Sequence, residues 1–379
     1  VKTRSWVAIS ATVLMLAGCA SPAPEPTATT LPPATPTPTA SPDPLAGLTV
    51  EQRVGQVFMV GTTASGAETA TLEAVRDRFV GGIFLSGRAR DGAAATAAVV
   101  AQFTAVAFPG WPLGVSTDQE GGQVQVLQGP GFSAMPSALE QGAMDAASLQ
   151  SSATTWAREL ASAGVTMNLA PVVDLIADSA AAASNPPIGA FDREFGFDAP
   201  TIVEHADAFR AGMTAAGVTS VIKHFPGLGA VTANTDDTAG VTDTTTNAQS
   251  DSVGIYRSEI ASGADTVMVS SAIYSQLDSA APAVFSPTVV TGLLRDQLGF
   301  DGVVITDDLS GATQVAAWSP ADRAILAIEA GCDIVLVSRT PTVAAEMIDA
   351  VVAKAYADPA FAKLVDAAAR RVLASKTAE

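Results

Sequence analysis

The segment Val221–Gly240, "VIKHFPGLGAVTANTDDTAG", gathers a lysine, a histidine and two adjacent aspartates in a Gly-rich stretch. Lys223 and His224 are suited to hold hydroxyl or carbonyl oxygens. An aspartate withdrawn from water, Asp236 or Asp237, gains a raised pKa and can pass a proton. A second carboxylate pair, Asp307–Asp308, closes the apolar run "GVVIT". Asp118-Gln119-Glu120 and Asp174 end two further apolar runs. One carboxylate at the end of a strand can be a helix cap, whereas several converging with a lysine and a histidine make a site. The chain's other histidine, His205, lies in the helical pattern "IVEHADAF" and reads as structural filler.

The elements that must position these groups recur regularly. Strand-like runs occupy 55–61, 81–87, 111–120, 165–175, 218–225, 265–271, 302–308 and 332–338. Most are continuously apolar rather than alternating, as parallel strands covered on both faces are. Helical segments such as "DGAAATAAVVAQFTAVA", "DAASLQSSATTWARELASAG", "APTIVEHADAFRAGMTAAG" and "SPTVVTGLLRDQLG" lie between them, and several end in glycine, a usual helix stop. Thr49 is placed to cap a first short helix. Eight strand–helix units predict an α/β fold, a (β/α)8 barrel in one catalytic domain; a doubly wound open sheet is the alternative that periodicity leaves open. In a barrel the polar ends of the strands share one rim, where chemistry sits.

The chain has 379 residues, 48% of them hydrophobic, so a sizeable core can be buried. A formal net charge of −18 argues against nucleic acid, whose phosphates demand a basic face. The two cysteines, Cys19 and Cys332, do not form a disulfide framework; Cys332 reads as a small buried hydrophobe. Lys2 and Arg4 precede an apolar run from Trp6 to Ala17, the layout of a secretory signal peptide. That run is too short to span a bilayer comfortably. Leu16-Ala17-Gly18-Cys19 resembles a bacterial lipobox, in which cleavage leaves a lipid-bearing Cys19 as the new N-terminus; a plain cleaved signal is the alternative. Residues 20–44 are rich in Pro, Thr and Ala and read as an extended spacer. The expected organisation is a signal at 1–18, a lipidated Cys19 with a linker to 44, and a folded domain over 45–379. The protein is expected to be a monomer, exported and lipid-anchored to the outer face of the bacterial cell membrane.

"STDQEGGQVQ", "LAPVVDL", "NPPIGAFDREFG", "VIKHFPG" and "LGFDGVVITDDL" occur in this order. Together they resemble glycoside hydrolase family 3, in its single-barrel β-N-acetylglucosaminidase branch, from about Leu48 to Ala374. The resemblance implies a (β/α)8 barrel and retaining hydrolysis of terminal N-acetylglucosamine from a glycan, without metal or cofactor. It places Asp307 at the nucleophile position, in keeping with the carboxylate that a retaining glycosidase needs. It places Asp118, Lys223 and His224 on the sugar hydroxyls, and Arg193 near the N-acetylglucosamine.

The sequence also departs from that family. Its acid/base is a histidine on the loop after the fifth strand, two residues beyond an aspartate. The common pattern "KHFPGHG" reads "KHFPGLG" here, with Leu228 in place of a histidine, and "NTDDTAG" sets Thr238 at the acid/base position if Asp236 is the dyad aspartate. A hydroxyl does not titrate near neutrality and cannot serve. Gln123 and Val126 stand where arginines are typical, and Ser270 and Ser271 where a histidine is frequent. Two readings follow: a glycosidase in which Asp236 or Asp237 acts directly as the acid, or a glycan-binding lipoprotein that has lost turnover.

Overall fold

The computed structural model describes residues 8, 12–15, 17–19 and 43–376. Most of the expected signal and nearly all of the expected linker lie outside the described residues. Of the described residues before Asp43, Val13, Leu14 and Met15 are exposed, as is Cys19. The compact body begins at Asp43. No described helix is long and apolar enough to cross a membrane.

Eight parallel strands form the frame: β1 (Phe58–Thr63), β2 (Gly82–Ser86), β3 (Gly114–Thr117), β4 (Met167–Asn168), β5 in two pieces (Thr219–Ser220 and Ile222–Phe225), β6 (Thr266–Val269), β7 (Val303–Thr306) and β8 (Val335–Val337). Each pairs with its successor, single bridges joining Val172 to Lys223 and Ile305 to Ile334, and β8 pairs back onto β1. The ring closes, so the fold is a (β/α)8 barrel and not an open doubly wound sheet.

Both faces of this ring are buried, which is why the strands read as unbroken apolar runs. Met59, Phe84, Leu169, Val221, Met268, Ile305 and Leu336 form a cluster inside the barrel. Their neighbours Val60, Ile83, Leu85, Ile222, Val267, Val304, Val335 and Val337 belong to the outer core. That core packs under α1 (Val50–Gln56), α2 (Thr69–Arg78), α3 (Ala93–Thr104), α4 (Ala146–Ser162), α5 (Ala199–Thr214), α6 (Asp251–Ala261), α7 (Thr288–Gln297), α8 (Pro320–Ala330), α9 (Ala344–Ala357) and α10 (Pro359–Ser375). The period of two carries past the strand ends: Val221 is followed inward by Lys223, Ile305 by Asp307 and Leu336 by Ser338. Alternation alone therefore sets chemistry-bearing side chains on the axis at the C-terminal rim.

The helices start where their caps dictate. Thr49 and Gln52 form a capping box on α1, and Asp145, Asp198, Ser319 and Asp358 cap α4, α5, α8 and α10. Each such cap contributes roughly 1 kcal/mol. Within the segment expected as a helix over 286–299, Thr288–Gln297 is wound with π spacing.

Candidate active site

The C-terminal rim surrounds a cavity of about 740 Å³, its open mouth included. Asp118, Arg193, Lys223, His224, Asp236 and Asp307 all line it. On the β3–β5 side the charges are paired. Lys223 Nζ donates to Asp118 Oδ1 at 2.6 Å and lies 2.7 Å from Glu120 Oε1. Arg193 donates through Nε and Nη2 to the two oxygens of Glu120, each at 2.8 Å, and through Nη1 to the Pro187 carbonyl at 2.7 Å. Burial alone would raise the Glu120 pKa, but the charges of Arg193 and Lys223 overcome it and hold the carboxyl at about 2. Burial likewise opposes the charge on Lys223, yet Asp118 and Glu120 raise its pKa.

Behind this group Asp174 is fully buried. It accepts from His224 Nδ1 at 2.8 Å and from the backbone N–H groups of His224 and Leu228 at 3.2 and 2.8 Å. With Nδ1 engaged, Nε2 is the nitrogen left for the cavity. The Lys223–His224 peptide is cis, and both side chains line the cavity although they are consecutive.

The opposite wall is rich in carboxylates. Asp307 follows β7, its N–H donating to the Val269 carbonyl at 3.0 Å. Its Oδ1 accepts from the Asp308 N–H at 2.8 Å. Burial raises the Asp307 pKa, while His224, the Asp308 N–H and Lys223 work to lower it. Asp308 is structural: its oxygens take Ser310 Oγ at 2.7 Å and the N–H groups of Gly311 and Ser338 at 2.8 Å each. This frees Asp307 from capping duty.

Asp236 reaches the cavity on the long connection after β5. Asn185 gathers the start of this connection, donating to the carbonyls of Leu228, Gly229 and Val231. Gly229 passes so close to the Leu175 carbonyl that a Cβ would lie 1.7 Å from its oxygen. Farther on, the N–H groups of Thr313 and Gln314 donate to the carbonyls of Asp236 and Thr235, each at 3.0 Å. The Gln314 side chain brackets Val241, accepting from its N–H at 2.9 Å and donating to its carbonyl at 3.2 Å. So held, the half-buried Asp236 has its pKa pushed up to about 6 by burial and by the charges of Asp307 and Asp308.

Asp237 differs from its neighbour. Its side chain is 69% exposed, 3.6 Å from the exposed Arg339, and it does not line the cavity. Of the two aspartates offered as the direct acid, the structure brings Asp236 to the cavity and leaves Asp237 at the surface. Thr238 is exposed, and Leu228 is a buried part of the cavity wall. His205 lies in α5, its ring nitrogens against the carbonyls of Thr201 and Met144. Cys332 is buried. Among the described residues no group of three or more His, Cys, Asp or Glu side chains is placed to hold a metal ion. Sequence reasoning under-rated Glu120 and Asp174, although both stand in quoted motifs, and it did not single out Arg339, whose motif-free loop gave no signal.

The Glycosyl hydrolase family 3 N terminal domain matches residues 49–375. The chain belongs to glycosyl hydrolase family 3. A "Beta-hexosaminidase" of Vibrio cholerae serotype O1 is 34% identical over 241 residues, 63% of this chain and 69% of that protein. Among solved structures, a β-N-acetylhexosaminidase from Beutenbergia cavernae is 63% identical with a TM-score of 0.86, over 87% of this chain and 99% of that one. A member of the same family from Mycobacterium smegmatis is 31% identical with a TM-score of 0.76, over 87% and 98%. The family 3 barrel expected from the motifs is thus the fold observed.

Proposed function

We propose that this family 3 glycosidase is a retaining β-N-acetylhexosaminidase, with Asp307 as nucleophile and Asp236 as acid/base in place of the family's histidine. The observation that carries the reading is the unequal pair itself. Asp236 and Asp307 line one cavity, and the charge of Asp307 raises the pKa of Asp236. Two such carboxylates do not both ionise readily, and the pair gives up its second proton only as pH rises through about 6. Asp307 accepts the Asp308 N–H and faces His224 and Lys223. Around Asp236 the exposed Arg339 opposes the burial and the carboxylates that raise its pKa but does not overcome them, so the proton of the pair is assigned to Asp236.

Ionised Asp307 then attacks the anomeric carbon while Asp236 protonates the departing glycosidic oxygen. The bond between that carbon and oxygen breaks as the bond to Asp307 forms. Asp236, now ionised, removes a proton from water, which attacks the same carbon and releases Asp307. Asp118, Lys223 and His224 are assigned to the hydroxyls and Arg193 to the N-acetylhexosamine. The names of the similar proteins support the hexosamine.

Within the same reading the protein is exported, anchored through a lipid on Cys19 and supplied with glycan substrate outside the membrane. The lipobox-like tetrapeptide supports this, and Cys19→Ala is expected to release the protein from membranes.

The functional test is hydrolysis of an aryl β-N-acetylglucosaminide followed by proton NMR. The account predicts the β-anomer as first product; an α-anomer first, or no cleavage, overturns it.

A further inference from the structure

This inference rests on the proposed role of Asp236 as acid/base. We infer that Arg339 is a positioning residue for the proton donor: its guanidinium latches the Asp236 segment to the end of β8 and brings a positive charge to a wall otherwise lined by carboxylates.

The position of Arg339 is defined by its surroundings. Asp308 accepts from the N–H of Ser338 at 2.8 Å and of Arg339 at 3.4 Å. The backbone carrying Arg339 is thus tied to the residue after Asp307. The aliphatic stem then lies over Gly311, where a Cβ would come within 2.7–2.9 Å of Arg339 Cβ, Cγ and Cδ. From there the guanidinium reaches the proton-donor loop: Nη1 donates to the Asp236 carbonyl at 3.4 Å and Nη2 lies 3.6 Å from Asp237 Oδ1.

The arrangement has an electrostatic consequence. The charged groups around Asp236 are Asp307 and Asp308 from the end of β7, Arg339 from the end of β8 and Asp237 on its own loop. Asp118, Arg193, Lys223 and His224 stand across the same cavity, where Lys223 and Arg193 are engaged with carboxylates of their own. Arg339 is therefore the cation on Asp236's side of the cavity, and it lowers the Asp236 pKa against the burial and carboxylates that raise it. Without it the carboxyl holds its proton more firmly and is a weaker acid toward the departing glycosidic oxygen.

The test is the pH profile of kcat/KM for an alkyl β-N-acetylglucosaminide, whose poor leaving group needs the proton, in four variants, with thermal melting as a folding control. Asp236→Asn must first abolish the alkaline limb; a limb that survives overturns the acid/base assignment and this inference with it. Given that loss, Arg339→Met is expected to move the alkaline limb up by roughly 0.5 pH unit and Asp237→Asn to move it down. Arg339→Lys keeps the charge without the planar fork, so its limb stays at the wild-type position while its rate falls. An alkaline limb unmoved in Arg339→Met overturns the inference and leaves the assignment of Asp236 standing.

Discussion

The two walls of the cavity are built on opposite electrostatic plans. On the β3–β5 wall Glu120 lies between Lys223 and Arg193, Lys223 also holds Asp118, and Asp174 is bound to His224. Between those two cations the Glu120 carboxyl is held at about 2. On the wall formed by β7, β8 and the long loop, Asp236, Asp307 and Asp308 face one exposed arginine. The first wall is a fixed set of hydrogen-bonding groups that hold one shape. The second retains a proton that can leave. A site that both grips a neutral sugar and moves protons benefits from keeping the two tasks on separate walls, because cations dense enough to order the first would strip the proton from the second.

Substitutions on the two walls should therefore fail differently. Asp307→Asn removes the nucleophile and is expected to lower kcat by roughly 10⁴-fold with little change in inhibitor affinity, read by steady-state kinetics and calorimetry. Asp236→Asn should lower kcat/KM by about 10²–10⁴-fold for alkyl glycosides and far less for activated aryl glycosides, whose leaving groups need no proton. In the wild type, kcat/KM for poor leaving groups should fall as pH rises through the Asp236 pKa of about 6.

On the other wall, Glu120→Ala leaves Arg193 and Lys223 buried without their shared partner. It should destabilise the fold by about 3–5 kcal/mol in chemical denaturation, with Glu120→Gln losing less and showing mainly a raised KM. Equal effects of Glu120→Gln on activated and unactivated substrates would sharpen the contrast; a leaving-group dependence would break it.

The smallest effect concerns stability. The folded-state pKa of Asp236 lies above its ordinary value of 3.8, so folding is favoured below that value and loses that contribution as pH rises through about 6. Asp236→Asn should accordingly stabilise the protein by on the order of 1–2 kcal/mol at pH 8 and hardly at pH 4, measured by thermal melting.

Much of this was legible in the sequence because burial on both faces forces unbroken apolar runs, and eight of these could be counted. Asp307 was legible because it directly follows such a run, where alternation determines its direction. Strand ends were less so: the run read over 111–120 stops pairing in the ring at Thr117 and turns into a hairpin, Gln119–Gly121 with Val124–Gln125. The left-handed conformations of Gly121 and Gly122 allow that reversal. The choice between Asp236 and Asp237 could not be read, since no periodicity governs a loop and the decision lies in hydrogen bonds from Thr313 and Gln314, nearly eighty residues away in sequence. Arg339 was hidden for the same reason.

The measurement that bears most directly on the account is chemical rescue of Asp236→Gly with azide on an activated aryl β-N-acetylglucosaminide. Azide needs no general base and can attack the glycosyl–Asp307 intermediate where the missing carboxylate stood. The account predicts that azide restores turnover and that the product is the β-glycosyl azide. Azide-independent turnover at the wild-type rate, or an α-glycosyl azide, would contradict it.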